Sequence, residues 1–159
     1  MLLACNMKHS GFTVVELVVV LIIIGVLAAV AVPRFFVSQQ YSDRGFYDQA
    51  LAISRYAQKS AIALRRNVCV NIASPSINLT YASAAGSGSA CDTALPSPIG
   101  DSPPFTVTAK TGVTLSSSSP TIIFTALGSV SSAGATTTIT VSSRTITVVT
   151  NTGYVSGVQ

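Results

Sequence analysis

A long apolar block begins at residue 12, and Glu16 is its one charged residue. From Phe12 to Val32 there are 21 residues, and almost all are Val, Ile, Leu, Ala or Gly. At a rise of about 1.5 Å per residue, a helix of this length extends roughly 30 Å, the thickness of the hydrocarbon core of a bilayer. The pattern predicts a membrane-spanning helix over residues 12–32.

Beyond Pro33 the apolar residues recur at spacings of three and four, the period of one helix face. This stripe consists of Phe46, Ala50, Ile53, Ala57, Ala61 and Leu64. It predicts an amphipathic helix over residues 33–66. We expect a kink at Pro33 and a bend or break around residues 42–45, because Asp43 is a capping residue type and Gly45 is a weak point in a helix.

From residue 67 onward the pattern changes to short β-branched runs typical of strands. They are Val68–Ala73, Ile77–Tyr81, Phe105–Ala109, Thr121–Leu127, Thr136–Val141, Thr145–Thr150 and Tyr154–Val155. Turn residues at 142–144 and 151–153 separate the last three runs, which indicates an antiparallel meander. Its apolar face, with Ile139, Val141, Ile146 and Val148, is what the amphipathic helix is expected to cover. The predicted fold class is α+β, with a long N-terminal helix packed on an antiparallel β-sheet domain over residues 67–159.

Composition and flanking charge indicate on which side of the membrane this domain lies. Charged residues make up only 9% of the chain, which favours an extracytoplasmic β-rich domain over a cytosolic enzyme. Lys8 and His9 precede the apolar block, and a basic flank tends to stay in the cytoplasm, so we expect the C-terminal part to be translocated. A cleaved secretory signal is the alternative, with Ala29 and Ala31 as a weak match to its cleavage site.

Two of the three cysteines, Cys69 and Cys91, fall on the translocated side, where oxidising conditions permit disulfides. We therefore predict a bond between them. It would tether the long Gly, Ser, Ala and Pro-rich stretch from Ala82 to Pro104. The alternative is a pair of buried free thiols.

Glu16 calls for a physical explanation, since an ionised carboxylate in hydrocarbon costs several kcal/mol unless it is neutralised or paired. The apolar block itself offers no basic partner. If the chain were cut after Gly11, however, Phe12 would carry a new α-amino group. A neighbouring copy could present that cation to Glu16 as two helices pack, and the pairing would set an axial register between copies.

The run Lys8-His9-Ser10-Gly11, followed by Phe12-Thr13-Val14-Val15-Glu16-Leu17, an apolar block and Pro33, resembles the class III signal of type IV pilins and type II secretion pseudopilins. The resemblance implies a leader over residues 1–11 that starts at Met1 or Met7. It implies cleavage by prepilin peptidase between Gly11 and Phe12, and N-methylation of Phe12. Subunits would pair through Glu16 and Phe12, and Pro33 would kink the helix.

Further stretches extend the resemblance along the chain. Residues 55–61 and the segments 123–128 and 146–155 are similar to the FimT/GspH-type minor pilins and pseudopilins. Pro33-Arg34-Phe35-Phe36, with Arg44-Gly45-Phe46-Tyr47-Asp48 after it, is most similar to the minor pilin of mannose-sensitive haemagglutinin (MSHA) pili. This likeness implies a low-abundance structural subunit, stored in the inner membrane and moved into a pilus or pseudopilus. Its implied partners are prepilin peptidase, other pilin subunits, an inner-membrane assembly platform and the lipid bilayer.

The sequence contains few residues that could form a metal, cofactor or catalytic site. The sole histidine, His9, would leave with the leader, and the acidic residues after Glu16 are scattered, so we expect no metal site, no cofactor and no enzymatic activity. The alternative function is a pilus-tip receptor for DNA or a surface ligand. Most cations belong to the predicted helix, and residues 151–159 contain none, which disfavours nucleic acid as a partner.

Overall fold

The computed structural model describes residues 11–86, 90–100, 102–131 and 134–157, and no side chains at positions 30 and 32–38. The chain divides into two compact units, Met1–Ser38 and Gln39–Gln159. In the second unit a helix packs on antiparallel sheets around one core. The predicted α+β class is therefore confirmed.

A single helix, α1, runs from Val14 to Leu64 over 51 residues. It continues through residues 42–45, so the predicted break there is wrong. Asp43 does not start a new helix, because its carboxylate accepts a hydrogen bond from the Gln39 side chain one turn earlier, at 3.1 Å. A side-chain pair at this spacing stabilises a continuous helix.

The C-terminal end of α1 is closed by a Schellman motif, in which two backbone N–H groups fold back onto the last turn. The Arg66 N–H donates to the Ala61 carbonyl at 3.2 Å, and the Arg65 N–H donates to the Ile62 carbonyl at 3.3 Å. Arg65 has a φ of +52°, a conformation more usual for glycine. The helix therefore ends at Leu64, two residues before its predicted end.

Nine strands follow among the described residues. They are β1 (Val68–Ala73), β2 (Ser76–Ala82), β3 (Cys91–Ala94), β4 (Thr106–Thr108), β5 (Leu115–Ser117), β6 (Thr121–Phe124), β7 (Thr136–Val141), β8 (Arg144–Val149) and β9 (Val155–Gly157). One sheet has the order β3-β2-β1-β6, with β4 also paired to β2, and the other has the order β5-β7-β8-β9. All pairs are antiparallel.

The predicted meander of the last three strands is confirmed, with β7 paired to β8 and β8 to β9. Two short strands, β3 and β5, were not predicted, because Cys-Asp-Thr-Ala and Leu-Ser-Ser lack an alternating β-branched pattern. The predicted strand over Thr121–Leu127 stops at Phe124. There the chain turns, and the Gly128 N–H donates to the Thr125 carbonyl at 2.8 Å.

The core lies between α1 and the two sheets. Five of the six residues in the predicted helix stripe are buried, as are the four predicted sheet residues Ile139, Val141, Ile146 and Val148. Leu64 is the exception and is 44% exposed, because the helix ends there and the Schellman turn leads the chain away. The largest fully buried side chains of this core are Tyr47 and Phe124.

Candidate assembly segment

The first turn of α1 is capped by Thr13. Its side-chain oxygen accepts a hydrogen bond from the Glu16 N–H at 3.2 Å, and its carbonyl accepts one from the Leu17 N–H at 3.2 Å. Sequence reasoning missed Thr13, although Thr-x-x-Glu before an apolar run is the signature of a capping box. Gly11 and Phe12 therefore lie outside the helix, and the predicted cleavage bond between them is exposed, non-helical backbone.

Glu16 lies in the first turn of α1 and is exposed. The helix dipole favours a carboxylate at this end, which gives Glu16 a local stabilising effect as well as the predicted pairing role. The sequence offers no Lys or Arg between Lys8 and Arg34, so no basic residue lies three or four positions away along the helix. The carboxylate is thus left available to an external cation.

Apolar side chains cover every face of the helix over residues 14–27. Their exposed fractions range from 45% at Val20 to 78% at Val14. A helix that is apolar all round needs another apolar environment to cover it. Within the residues that the structure describes, no helix combines the length and the apolar character needed to cross a membrane.

Pro33 lies within the helical range of α1. The helix continues through this position without interruption. The kink at Pro33 stays a prediction. The predicted leader falls almost entirely on residues 1–10, which lie outside the described residues. Lys8 and His9 belong to this range.

The predicted disulfide is confirmed. Cys69 on β1 and Cys91 on β3 are bonded, with their Cα atoms 6.1 Å apart and a sequence separation of 22 residues. The bond fastens the far end of the connection after β2. The next residue, Asp92, fastens the same end by accepting hydrogen bonds from the Ser83 hydroxyl at 2.5 Å and the Ser83 N–H at 2.8 Å. These bonds stabilise the carboxylate and lower the pKa of Asp92.

Polar side chains of α1 hold the two turns nearest to it. The Gln58 amide donates to the Gly128 carbonyl at 3.2 Å and to the Thr152 carbonyl at 3.0 Å. Arg55 donates to the Val155 carbonyl at 3.3 Å. Gly153 lies in the same contact, with a φ of +65°, and a Cβ there would meet the Gly128 oxygen at 1.8 Å.

Several cations are committed to contacts within the fold. Arg66 donates to the carbonyls of Ala82 and Ser83, and the Arg144 guanidinium lies 5.7 Å from the centre of the Tyr47 ring. With Arg55 on the Val155 carbonyl, three of the eight cations after residue 11 are held in this way. No group of three or more potential metal ligands gathers among the described residues.

Comparison with known proteins identifies the N-terminal segment. Residues 6–32 match the family described as the prokaryotic N-terminal methylation motif. The type IV narrow pilus major component PilA5 of Thermus thermophilus is 36% identical over 62 residues, which are 39% of this chain and 53% of that protein. The type IV major pilin PilE1 of Neisseria gonorrhoeae is 40% identical over 57 residues, which are 36% of this chain and 32% of that protein. The chain thus spans about a third to a half of these relatives.

A solved structure matches most of the fold. The type IV minor pilin FimU of Pseudomonas aeruginosa superimposes with a TM-score of 0.50 over 76% of this chain and 92% of its own, at 12% sequence identity. The chain is type IV pilin-like in its N-terminal motif and in its fold. Because the two sequences are only 12% identical, the likeness to FimU is one of fold alone.

Proposed function

We propose that this chain is a minor structural subunit of a type IV pilus or a type II secretion filament. The observation that carries the proposal is the match of residues 6–32 to the N-terminal methylation motif, followed by a helix whose apolar side chains are exposed on all faces. Such a surface is covered either by lipid or by neighbouring helices. As the chain leaves the inner membrane for the filament, neighbouring helices replace lipid around these side chains.

Prepilin peptidase cuts between Gly11 and Phe12 and methylates the new amino terminus in this proposal. The capped start of α1 at Val14 supports it, because a protease needs accessible, non-helical backbone at the bond that it cuts. Mass spectrometry of the mature N-terminus tests the step. A methylated Phe12 is expected, whereas an intact Met1 or Met7 would contradict the proposal and indicate a plain membrane-anchored module.

Subunits assemble through the pairing of Glu16 with the Phe12 amino group of a neighbour. A methylated amine remains cationic, and in an apolar bundle the loss of either partner leaves a buried charge uncompensated, which is strongly destabilising. The chain reaches the filament through an inner-membrane assembly platform, with residues 33–159 on the periplasmic side before extraction.

Glu16→Gln tests this pairing and separates it from helix capping. Glutamine is accepted at this position of a capping box, so the variant keeps the helix start and loses only the charge. We expect incorporation into sheared filaments to fall at least about tenfold, roughly 1.4 kcal/mol of assembly free energy, measured by immunoblot against the membrane pool. Leu17→Met serves as the control and should assemble normally. Unchanged incorporation of Glu16→Gln would refute the pairing.

Within the pilin-like proteins we assign the chain to the FimT/GspH-type minor subunits, and among these to a subunit of the MSHA minor pilin type. Support comes from the tail motif Ile146-Thr147-Val148-Val149-Thr150, which forms β8 and the start of its turn, and from the Pro33-Arg34-Phe35-Phe36 segment. Genes flanking this one test the assignment, since a pilus cluster and a secretion cluster encode different partner subunits.

A further inference from the structure

An apolar groove lies in the second unit, between the C-terminal part of α1 and the end of β3. The helix contributes Tyr56, Lys59 and Leu64, and the sheet side contributes Tyr81, Leu95 and Pro96. The groove encloses about 520 Å³, within the range of about 300–1,000 Å³ usual for ligand sites. Its lining is largely apolar, with one cation at its rim.

The walls of the groove are held in place by contacts that do not depend on an occupant. The Tyr56 hydroxyl donates to the Pro96 carbonyl at 3.1 Å. The Tyr56 ring meets the Phe105 ring edge-on, with the ring centres 5.7 Å apart and the planes at 79°. The groove is therefore preformed, which lowers the entropy cost of binding.

Lys59 carries a charge that no described residue neutralises. The sequence has no Asp or Glu between Asp48 and Asp92, so no carboxylate lies within one helical turn of Lys59. The carboxylate of Asp92, on β3, is already bonded to Ser83 and Thr93. No described residue forms an ion pair with Lys59. An occupant of the groove that brings its own carboxylate complements this rim.

The edge of a sheet runs beside the groove. In the described part of the chain β3 is the terminal strand of its sheet and pairs only with β2. Leu95, which lines the groove, follows β3 directly. An edge strand presents backbone N–H and C=O groups to which an extended peptide can add as a further strand.

The geometry points to a binding site for an extended peptide segment that carries an Asp or Glu two residues from a bulky apolar side chain, because only residues at that spacing share one face of an added strand. The apolar side chain fills the groove, the peptide backbone pairs with β3, and the carboxylate contacts the Lys59 ammonium group. The site is separate from the helix packing of the proposed function and gives the second unit a protein partner of its own.

Binding is tested with the full chain in nanodiscs of uncharged, zwitterionic phosphatidylcholine. The probes are two fluorescent, end-blocked pentapeptides, Thr-Phe-Thr-Glu-Thr and its counterpart with Gln in place of Glu, in which the second and fourth side chains share one face of the strand. By fluorescence anisotropy we expect the acidic peptide to bind about two- to fivefold more tightly at low salt, the range for a rim ion pair. The preference should shrink as salt is raised.

Variants locate the site. Lys59→Met should remove the preference for the acidic peptide, while Lys110→Met, a lysine beside a smaller cavity, should keep it. Ala63→Phe fills the groove from an exposed helix position and should weaken both peptides, with circular dichroism reporting that the fold is kept. Equal affinity for the two peptides, no binding of either, or a preference that survives Lys59→Met would overturn the proposal. So would displacement of the acidic peptide by an oligodeoxynucleotide, which would indicate a phosphodiester site.

Discussion

The carboxylate of Glu16 is subject to two opposing free-energy contributions, one from burial in an apolar environment and one from its position at the helix N-terminus. In the proposed membrane-bound state, lipid around residues 12–32 would penalise the charge, while the first turn of the helix stabilises it through the dipole and the Thr13 cap. Sequence reasoning predicted a role for Glu16 from the cost alone. It missed the gain, because the membrane span was predicted from the apolar run alone, whereas the helix start is set by the Thr13 cap, which the Thr-x-x-Glu pattern signals.

Gly153→Ala is expected to destabilise the second unit. Gly153 has a positive φ, and an added Cβ would meet the Gly128 carbonyl oxygen at 1.8 Å and the Gln58 amide at 2.8 Å. Backbone strain and the clash together should cost about 2–4 kcal/mol. Thermal unfolding followed by circular dichroism should show a melting temperature lower by roughly 6–15 °C.

Gly134→Ala is the matched control for this substitution. A Cβ at Gly134 meets its nearest neighbour, the Thr136 carbonyl oxygen, at an ordinary 3.5 Å. Its melting temperature should stay within about 2 °C of the parent chain. Equal behaviour of the two variants would show that the Gly153 contact with Gly128 does not hold the turn.

Asp92 gives a prediction for acid pH. Hydrogen bonds from Ser83, and one from Thr93, lower its pKa in the folded state. The stabilisation is therefore complete above the unfolded pKa of about 3.9 and is lost as pH falls through the lower folded value. Melting curves of Asp92→Asn and the parent chain should differ at pH 5 and converge near pH 2. A difference that grows toward pH 2 would contradict this assignment.

Among the elements, α1 shows which predictions a periodic pattern supports. The stripe from Phe46 to Ala61 is buried as predicted, because spacing alone decides which residues share a face. The break at residues 42–45 was predicted from residue types, and the pairing of Gln39 with Asp43 overrides it. The same distinction applies to the strands. The sequences of β7 and β8 alternate strongly between apolar and polar residues, and both strands were predicted. β3 was not predicted, because it depends on pairing with β2 and on the disulfide.

The disulfide should account for about 3 kcal/mol of unfolding free energy, the chain-entropy value for a loop of this length. Replacing both Cys69 and Cys91 by Ala should lower the denaturation midpoint accordingly, as measured by guanidinium unfolding. A reducing agent should bring the parent chain close to the variant and leave the variant unaffected. If the reduced and oxidised parent chains unfold at the same midpoint, the bond does not stabilise the fold.

For the molecule as a whole, the distribution of charge argues against DNA as a partner. Removal of residues 1–11 would leave eight Lys and Arg against five Asp and Glu. Arg55, Arg66 and Arg144 are engaged within the fold, and the last nine residues carry no cation. Composition predicted this balance, but only the structure shows which cations are already committed.

We therefore expect the full chain in zwitterionic nanodiscs to bind DNA with a dissociation constant of about 0.1 mM or weaker at physiological salt. Electrophoretic mobility shift or anisotropy measures it. Placing arginine at two exposed positions in the last turn, with Asn151→Arg and Tyr154→Arg, should strengthen binding and steepen its salt dependence. Micromolar, salt-sensitive binding by the unmodified chain would instead favour the receptor function.

The start of α1 at Val14 sets a length that an assembled fibre would report. Phe12 and Thr13 precede the helix, and extended backbone rises at most about 3.3 Å per residue, against 1.5 Å in a helix. The amino terminus can therefore lie up to about 10 Å below Glu16 along the axis, instead of about 6 Å for a helix that began at Phe12. Successive subunits joined by this contact would be offset along the fibre axis by that longer distance. The axial rise per subunit, measured by helical reconstruction of a fibre, would therefore depend on where the Thr13 cap starts the helix.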